Sequence, residues 1–397
     1  MEGLPQIDLL NGHLYAADPT PTYRWLRHNA PIYHDDINDL YGVTRYRDIV
    51  SVEKQSTRYS NRNAYRPLPM GGHDDTSMIS FDDPRHTEQR RLVARKFTPK
   101  AVTAHEDTVR GIVTSLIDDI AGEGTCDVVE ALAAPLPAMM IAETLGFGFD
   151  RWREVKHWSE ATIPLGGGVR YLDQSGMDAA VEFAIACSEL INERRKDPQH
   201  DMVSHWCNSE VDGHAMTDEE IISECLLVVD GGAETTRTVI ASTVWDLIEH
   251  PDQRQILLDD PAVLRDTAVE EFIRWVTPIL NMSRVVTEAH ELGGHQLEVG
   301  DRMLLMYSSA NRDETVFDDP DVYDVRRRHN HHVAFGFGTH FCLGASLARL
   351  EIRVMFEELL RRLPDMRLVE GQPPARVPGA FVRGIESVPV EFTPERR

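Results

Sequence analysis

From Asp218 to Glu249 the chain carries one helical pattern, broken only by a glycine pair at its middle. Thr217 and Glu220 stand at the spacing of a capping box, and Pro251 follows the far end. At 1.5 Å per residue such a helix spans roughly 48 Å, the full width of a domain of this size. A chain that contains it has to be built around it. Yet Gly231-Gly232 interrupts it where each glycine costs about 1 kcal/mol against alanine. Either a ligand approaches the backbone closely there, or a neighbouring helix packs tightly against it.

Helical periodicity extends over residues 85–275 and again over 344–363. Short β-like runs occupy residues 40–46, 302–306 and 388–392. No repeat, low-complexity tract or linker divides the 397 residues, so one mainly α domain with small β-sheets is expected over 1–397. A net charge of −24 argues against nucleic acid and anionic membranes as partners. No apolar run reaches the ~18 residues of a membrane helix, and the first residues lack a signal-peptide pattern. A cytoplasmic location is therefore expected. The five cysteines are scattered, with no CxxC pair, so neither a disulfide framework nor a structural zinc site is indicated.

One cysteine has unusual surroundings. Phe335-Gly336-Phe337-Gly338-Thr339-His340-Phe341-Cys342-Leu343-Gly344 runs directly into a helical segment starting at Ala345. Three glycines permit a backbone path that Cβ atoms would forbid, and let a flat ligand approach. Cys342 just before a helix start is placed where free N–H groups favour a thiolate. Phe335, Phe337 and Phe341 offer an apolar shell. A glycine-rich turn with a redox or nucleophilic cysteine is the rival reading, and it would want a base or second cysteine nearby.

The loop resembles the heme-binding signature of cytochromes P450. Three further segments match that family in order. Glu271-Phe272-Ile273-Arg274, with Arg327 downstream, resembles its buried ion-pair network, whose implied role is to hold the loop that leads to Cys342. Gly231-Gly232-Ala233-Glu234-Thr235-Thr236 resembles its oxygen-binding kink, which implies proton delivery by Glu234 and Thr235. His86 and Arg90 lie four apart on one helical face and, with Arg284 and His340, match ligands of the heme propionates. The resemblance covers essentially the whole chain. It implies a triangular, mainly α fold with heme b (iron protoporphyrin IX) bound through Cys342 between the central helix and the cysteine-loop helix. It also implies a monooxygenase using O2, with electrons from a ferredoxin and its NAD(P)H-dependent reductase. Arg91, Arg95, Lys96, Arg349 and Arg353 are candidates for a basic docking patch. A heme-thiolate sensor or carrier would share the fold, but has no need of the Glu234-Thr235 pair.

Closer similarity is to actinobacterial members that hydroxylate the side chain of cholesterol or cholestenone. It rests on Asp8-Leu9-Leu10-Asn11-Gly12, Tyr23-Arg24-Trp25-Leu26-Arg27, Arg361-Arg362-Leu363-Pro364-Asp365-Met366-Arg367-Leu368 and Gly384-Ile385-Glu386-Ser387-Val388-Pro389. By family position, Leu68, Met70, Met78, Ile79, Leu227, Asp230, Ala233, Ile279, Leu280, Met282, Phe381 and Val382 line the substrate pocket. Most are apolar, as a sterol, steroid, terpenoid or polyketide substrate requires. Asp230 departs from that pattern. A buried carboxylate has to be paired, protonated or wet, so Asp230 is expected to accept a hydrogen bond from a substrate hydroxyl or amine, or else to turn toward water or an arginine.

Overall fold

The computed structural model describes residues 5–69 and 75–395. The central helix forms where the sequence places it, with both halves of the capping box made: Thr217 N–H donates to Glu220 Oε2 (2.9 Å) and Glu220 N–H to Thr217 Oγ1 (3.2 Å). It is not continuous. Asp218–Val229 is α-helical, Asp230–Glu234 forms a π turn, and Thr235–Glu249 resumes the α-helix. An inserted π turn is a common marker of functional sites. The last segment buries residues all around its circumference, including Val239, Ile240, Ala241, Thr243 and Val244. Such a helix belongs in the middle of a protein, and it sits within the largest apolar cluster.

The two glycines divide the alternatives between them. A Cβ on Gly232 would lie 2.3 Å from Ile141 Cδ1, so this residue is small because helix Pro135–Leu145 packs on it. A Cβ on Gly231 would meet nothing within 4 Å, and that residue is open to a cavity.

A five-stranded sheet flanks the helices. Its strands are β1 (Ile32–Asp35), β2 (Leu40–Val43), β3 (Tyr59–Ser60), β4 (Asn281–Val286) and β5 (Arg302–Met306), in spatial order β1-β2-β5-β4-β3. Only the β2/β5 pair is parallel. Run 302–306 is thus a strand, 40–46 contains the strand Leu40–Val43 but ends in the first residue of helix Tyr46–Lys54, and 388–392 contains the strand Pro389–Glu391. Strand β4 was not expected: Asn281, Ser283 and Arg284 give it a polar sequence, yet all three are buried. Arg284, opposite Met303 in β5, and Tyr307, in the short helix Tyr307–Ala310 directly after β5, stand some way apart along the sheet, and their side chains meet at Glu53.

Helix Val269–Val276 carries the ion-pair network. Arg274 donates from Nε and Nη2 to Glu271 Oε2 and Oε1 (2.7 and 2.8 Å), and Arg327 Nε donates to Glu271 Oε2 at 3.1 Å. Glu271 and Arg274 are completely buried. An isolated charge there would cost several kcal/mol. Five donors reach the Glu271 carboxylate, the others being Asp324 N–H and Asn330 Nδ2. Because Arg274 Nη1 also donates to Asn311 O and Pro320 O, the network ties the helix to the segment ahead of the cysteine loop.

Candidate active site: a cavity between the central kink and the cysteine loop

The cysteine loop is shaped by two of its three glycines. Gly336 and Gly338 have φ of +68° and +71°, whereas Gly344 is the ordinary N-cap of helix Ala345–Arg362. Cys342 N–H donates to Phe335 O at 2.9 Å, closing the turn. The Gly344 and Ala345 N–H groups and the Arg90 and Arg349 charges favour a thiolate at Cys342, but burial outweighs them and pushes the thiol up. The helix start alone therefore does not hold a thiolate here. A metal cation would do so, since coordination deprotonates a thiol outright. The expected aromatic shell is only partly made. Phe335 lines the cavity, Phe337 lies under Lys54 Nζ, and Phe341 is 41% exposed.

One cavity joins Cys342 to the π turn. Cys342, His86, Arg90, Arg284 and His340 all line it, as do Gly231, Gly232 and Thr235 from the opposite wall. Helix Arg85–Val93 supplies His86 and Arg90; His86 Nδ1 and Nε2 lie 2.8 and 3.2 Å from the carbonyl oxygens of Met78 and Thr339. The His86 and His340 rings are in contact, tilted 52° to each other with centroids 4.0 Å apart. Arg90 Nη2 donates to Phe341 O at 2.6 Å. Burial, reinforced by Arg284, His86 and Arg90, pushes His340 down to about 2, and its Nε2 is buried without a hydrogen-bond partner. Two guanidiniums and two imidazoles thus converge, and Glu53 is the sole carboxylate paired with any of them among the described residues. This donor set suits a ligand with carboxylates of its own. Together with the cysteine below and the open glycine above, it fits a flat, carboxylate-bearing macrocycle whose metal takes a sulfur ligand.

The far wall separates the two residues of the kink. Thr235 faces the cavity and its hydroxyl donates to Gly231 O at 2.7 Å. Glu234 is buried on another side, accepting from Arg237 Nη1 at 2.6 Å, while the same guanidinium lies 3.1 Å from Glu160. Burial raises the Glu234 carboxyl, with Arg237 opposing.

Apolar lining comes from Met78, Ile79, Leu227, Ile279 and Met282, as the sequence indicated, and from Ile141, Val228 and Phe97 besides. Six other expected pocket residues do not line it. Leu280 is completely buried in the cluster with Leu9, Leu10 and Tyr15, because in extended chain it points opposite to Ile279. Leu68 packs against the same cluster. Phe381 and Val382 lie behind Ile79, Ile279 and Met282. Ala233 is buried on the far side of the π turn. Asp230 accepts from Thr162 Oγ1 at 2.7 Å, at the end of helix Trp152–Thr162. Burial raises its carboxyl to about 7, with Thr162 and Arg66 opposing. Met70 lies outside the described residues.

The sequence reading missed Glu53, Tyr307 and Arg237. None belongs to a motif, and each is recognisable only as a buried polar group after folding. Of the five basic docking candidates, two are neutralised. Arg349 grips Glu270 through Nε and Nη2 at 2.6 and 2.8 Å, and Arg353 pairs with Glu106 and Glu357 at 2.7 and 3.0 Å. Arg91, Arg95 and Lys96 are exposed, without acidic partners among the described residues. No helix among those residues is long and apolar enough to cross a membrane.

Comparison with known proteins agrees with this geometry. Residues 263–386 match the family model "Cytochrome P450". The chain is 41% identical to a steroid C26-monooxygenase of Mycobacterium tuberculosis, covering 99% of both proteins. It is 36% identical to a methyl-branched lipid omega-hydroxylase of the same organism, over 90% of this chain and 85% of that one. The fold superposes on a cytochrome P450 of Mycobacterium marinum in complex with pseudoionone (TM-score 0.88, 32% identity, 99% and 100% coverage). It also superposes on a Bacillus megaterium cytochrome P450 in complex with testosterone (TM-score 0.87, 31% identity, 96% and 99% coverage). A cysteine loop facing a kinked helix across one cavity, in a chain related over nearly its full length to known monooxygenases, places it in one family: this chain belongs to the cytochromes P450 and is a heme-thiolate monooxygenase.

Proposed function

We propose that the enzyme hydroxylates an unactivated C–H bond of a sterol- or steroid-like lipid. The observation that carries this reading is the wall of Met78, Ile79, Leu227, Ile279 and Met282 next to the open Gly231. It offers an extended apolar substrate dispersion contacts but few hydrogen bonds. Similarity to the steroid C26-monooxygenases and the lipid omega-hydroxylase supports a substrate of this class.

Bound heme supplies oxygen activation, which a thiolate ligand favours by pushing electron density toward O–O cleavage. Cys342 would be the sulfur ligand, and His86, Arg90, Arg284 and His340 would hold the propionates. Gly231 leaves room beside the kink. Thr235 turns its hydroxyl from Gly231 O into the cavity and passes a proton, while Glu234, held by Arg237, restores it from the protein side. Asp230, next to the open Gly231 but outside the cavity lining, spends one oxygen on Thr162 and keeps the other for a hydroxyl of a substrate long enough to reach past that lining. Electrons arrive from a ferredoxin that docks against Arg91, Arg95 and Lys96 in the cytoplasm.

A difference-spectrum titration with sterols, steroids and terpenoids tests the substrate class, because a substrate that displaces water from the iron shifts its spin state. Spin-state shifts confined to sterols and steroids, followed by a hydroxylated product in mass spectrometry with a surrogate ferredoxin, are expected. Shifts only with small terpenoids would refute the sterol assignment.

A further inference from the structure

At the Arg284 end of the cavity stands an acid that the chemistry above leaves unused. Glu53, at the end of helix Tyr46–Lys54, is 6% exposed and lines the cavity. Its Oε1 accepts from Tyr307 Oη at 2.7 Å and from Arg284 Nη2 at 3.1 Å. Its Oε2 is buried without a hydrogen-bond partner. The neighbouring loop brings Gly338 so close that a Cβ there would meet Glu53 O at 2.8 Å. We infer that Glu53 is the proton-carrying partner of a heme propionate at Arg284, so that reduction of the iron is coupled to protonation of this residue. The inference rests on the heme site assigned above.

The charges around Glu53 decide the direction. Burial pushes its carboxyl up to about 7, although Arg284, the Tyr307 hydroxyl and the Phe337 N–H all favour the charged form. In the cysteine loop, His340 is held neutral by its surroundings and contributes no positive charge. Lys54 of the same helix lies over the Phe337 ring, and Arg90 donates to Phe341 O. Arg284 is therefore the one cation paired with Glu53 among the described residues. A propionate on Arg284 shares that cation with a second carboxylate. Two carboxylates on one guanidinium disfavour double ionisation, so one of them keeps a proton near neutral pH. With heme bound, one-electron reduction of its iron by an external reductant would add a negative charge near Glu53, which at about 7 is only part-protonated near neutral pH. The still-ionised fraction would then take up a proton from solvent, forming an O–H bond on Oε2 and offsetting the added charge.

Spectroelectrochemical titration of the holoprotein between pH 6 and 9 tests this. The wild-type midpoint is expected to fall as pH rises, bounded by ~59 mV per unit, the tenfold change that one proton per electron gives. Glu53→Gln should lie flat over the same range. Tyr307→Phe removes a donor to the carboxylate, so its drift should move to higher pH, and this variant decides the matter if Glu53→Gln fails to bind heme. A flat wild-type midpoint, an undiminished drift in Glu53→Gln, or an unmoved drift in Tyr307→Phe overturns the inference. The carbon monoxide spectrum of the reduced protein separates the two levels. A flat midpoint with a thiolate-heme spectrum refutes only the role of Glu53, whereas loss of that spectrum in the wild type refutes the heme site itself.

Discussion

Asp230 shows how one residue can be pulled between fold and function. Its carboxyl sits at the start of the π turn and accepts from Thr162 Oγ1, which ties helix Trp152–Thr162 to the kink. No hydrogen bond reaches its second oxygen among the described residues, and a neutral or half-charged acid near pH 7 can accept or donate there. Asp230→Ala should therefore weaken hydroxyl-bearing ligands more than apolar ones of the same shape, by about 1 kcal/mol for a lost hydrogen bond. Titration of both kinds against wild type and variant checks it, and equal affinities throughout would reduce Asp230 to a structural tie. The sequence marked Asp230 as anomalous but not its partner, because Thr162 lies far away in the chain and outside any motif. Conversely, Cys342, His86, Arg90, Arg284 and His340, named from the resemblance, all line the one cavity, although Arg284 stands in no short motif of its own.

At the scale of elements, the central helix carries its function through two adjacent glycines with different physical reasons. Gly232→Ala drives a methyl to within 2.3 Å of Ile141 Cδ1. Overpacking of this kind costs about 1–3 kcal/mol, more than the roughly 1 kcal/mol of helix propensity that alanine adds. Gly231→Ala meets no protein atom within 4 Å, so its methyl projects into the cavity instead. Thermal unfolding should thus show loss of stability in Gly232→Ala alone, while ligand titration should show weaker binding in Gly231→Ala without loss of stability. Equal unfolding temperatures for the two variants would contradict the assignment. Periodicity located this helix and its cap, but could not see the π turn, since inserting one residue leaves the apolar pattern of a fully buried helix unchanged. Alternation was the signal overlooked at Ile279 and Leu280. Extended chain sends neighbours to opposite faces, so only one of the two could line the cavity.

Over the whole molecule, several acids are buried without a matching cation, and this sets its response to pH. Glu224 accepts Met78 N–H at 2.8 Å with its Oε2 unpartnered, and Glu351 lines the cavity on the cysteine side. Burial raises both from 4.5 to about 8. Between those values the folded state binds more protons at these two sites than the unfolded one, so their contribution to stability is full below about 4.5 and is lost as pH rises through about 8. Thermal unfolding should therefore show a falling midpoint from pH 6 to 9, and a shallower fall in Glu351→Gln, whose amide cannot ionise. A midpoint that rises over this range would contradict the sign. The mainly α architecture with marginal sheets was legible from periodicity, whereas the burial of polar strand β4 and of these acids emerged only from tertiary packing. The central claim, that the sulfur of Cys342 is the iron ligand, is tested most directly by the carbon monoxide difference spectrum of the reduced holoprotein. The red-shifted band of thiolate heme should appear in the wild type and vanish in Cys342→Ala; an unchanged band in that variant would contradict the account.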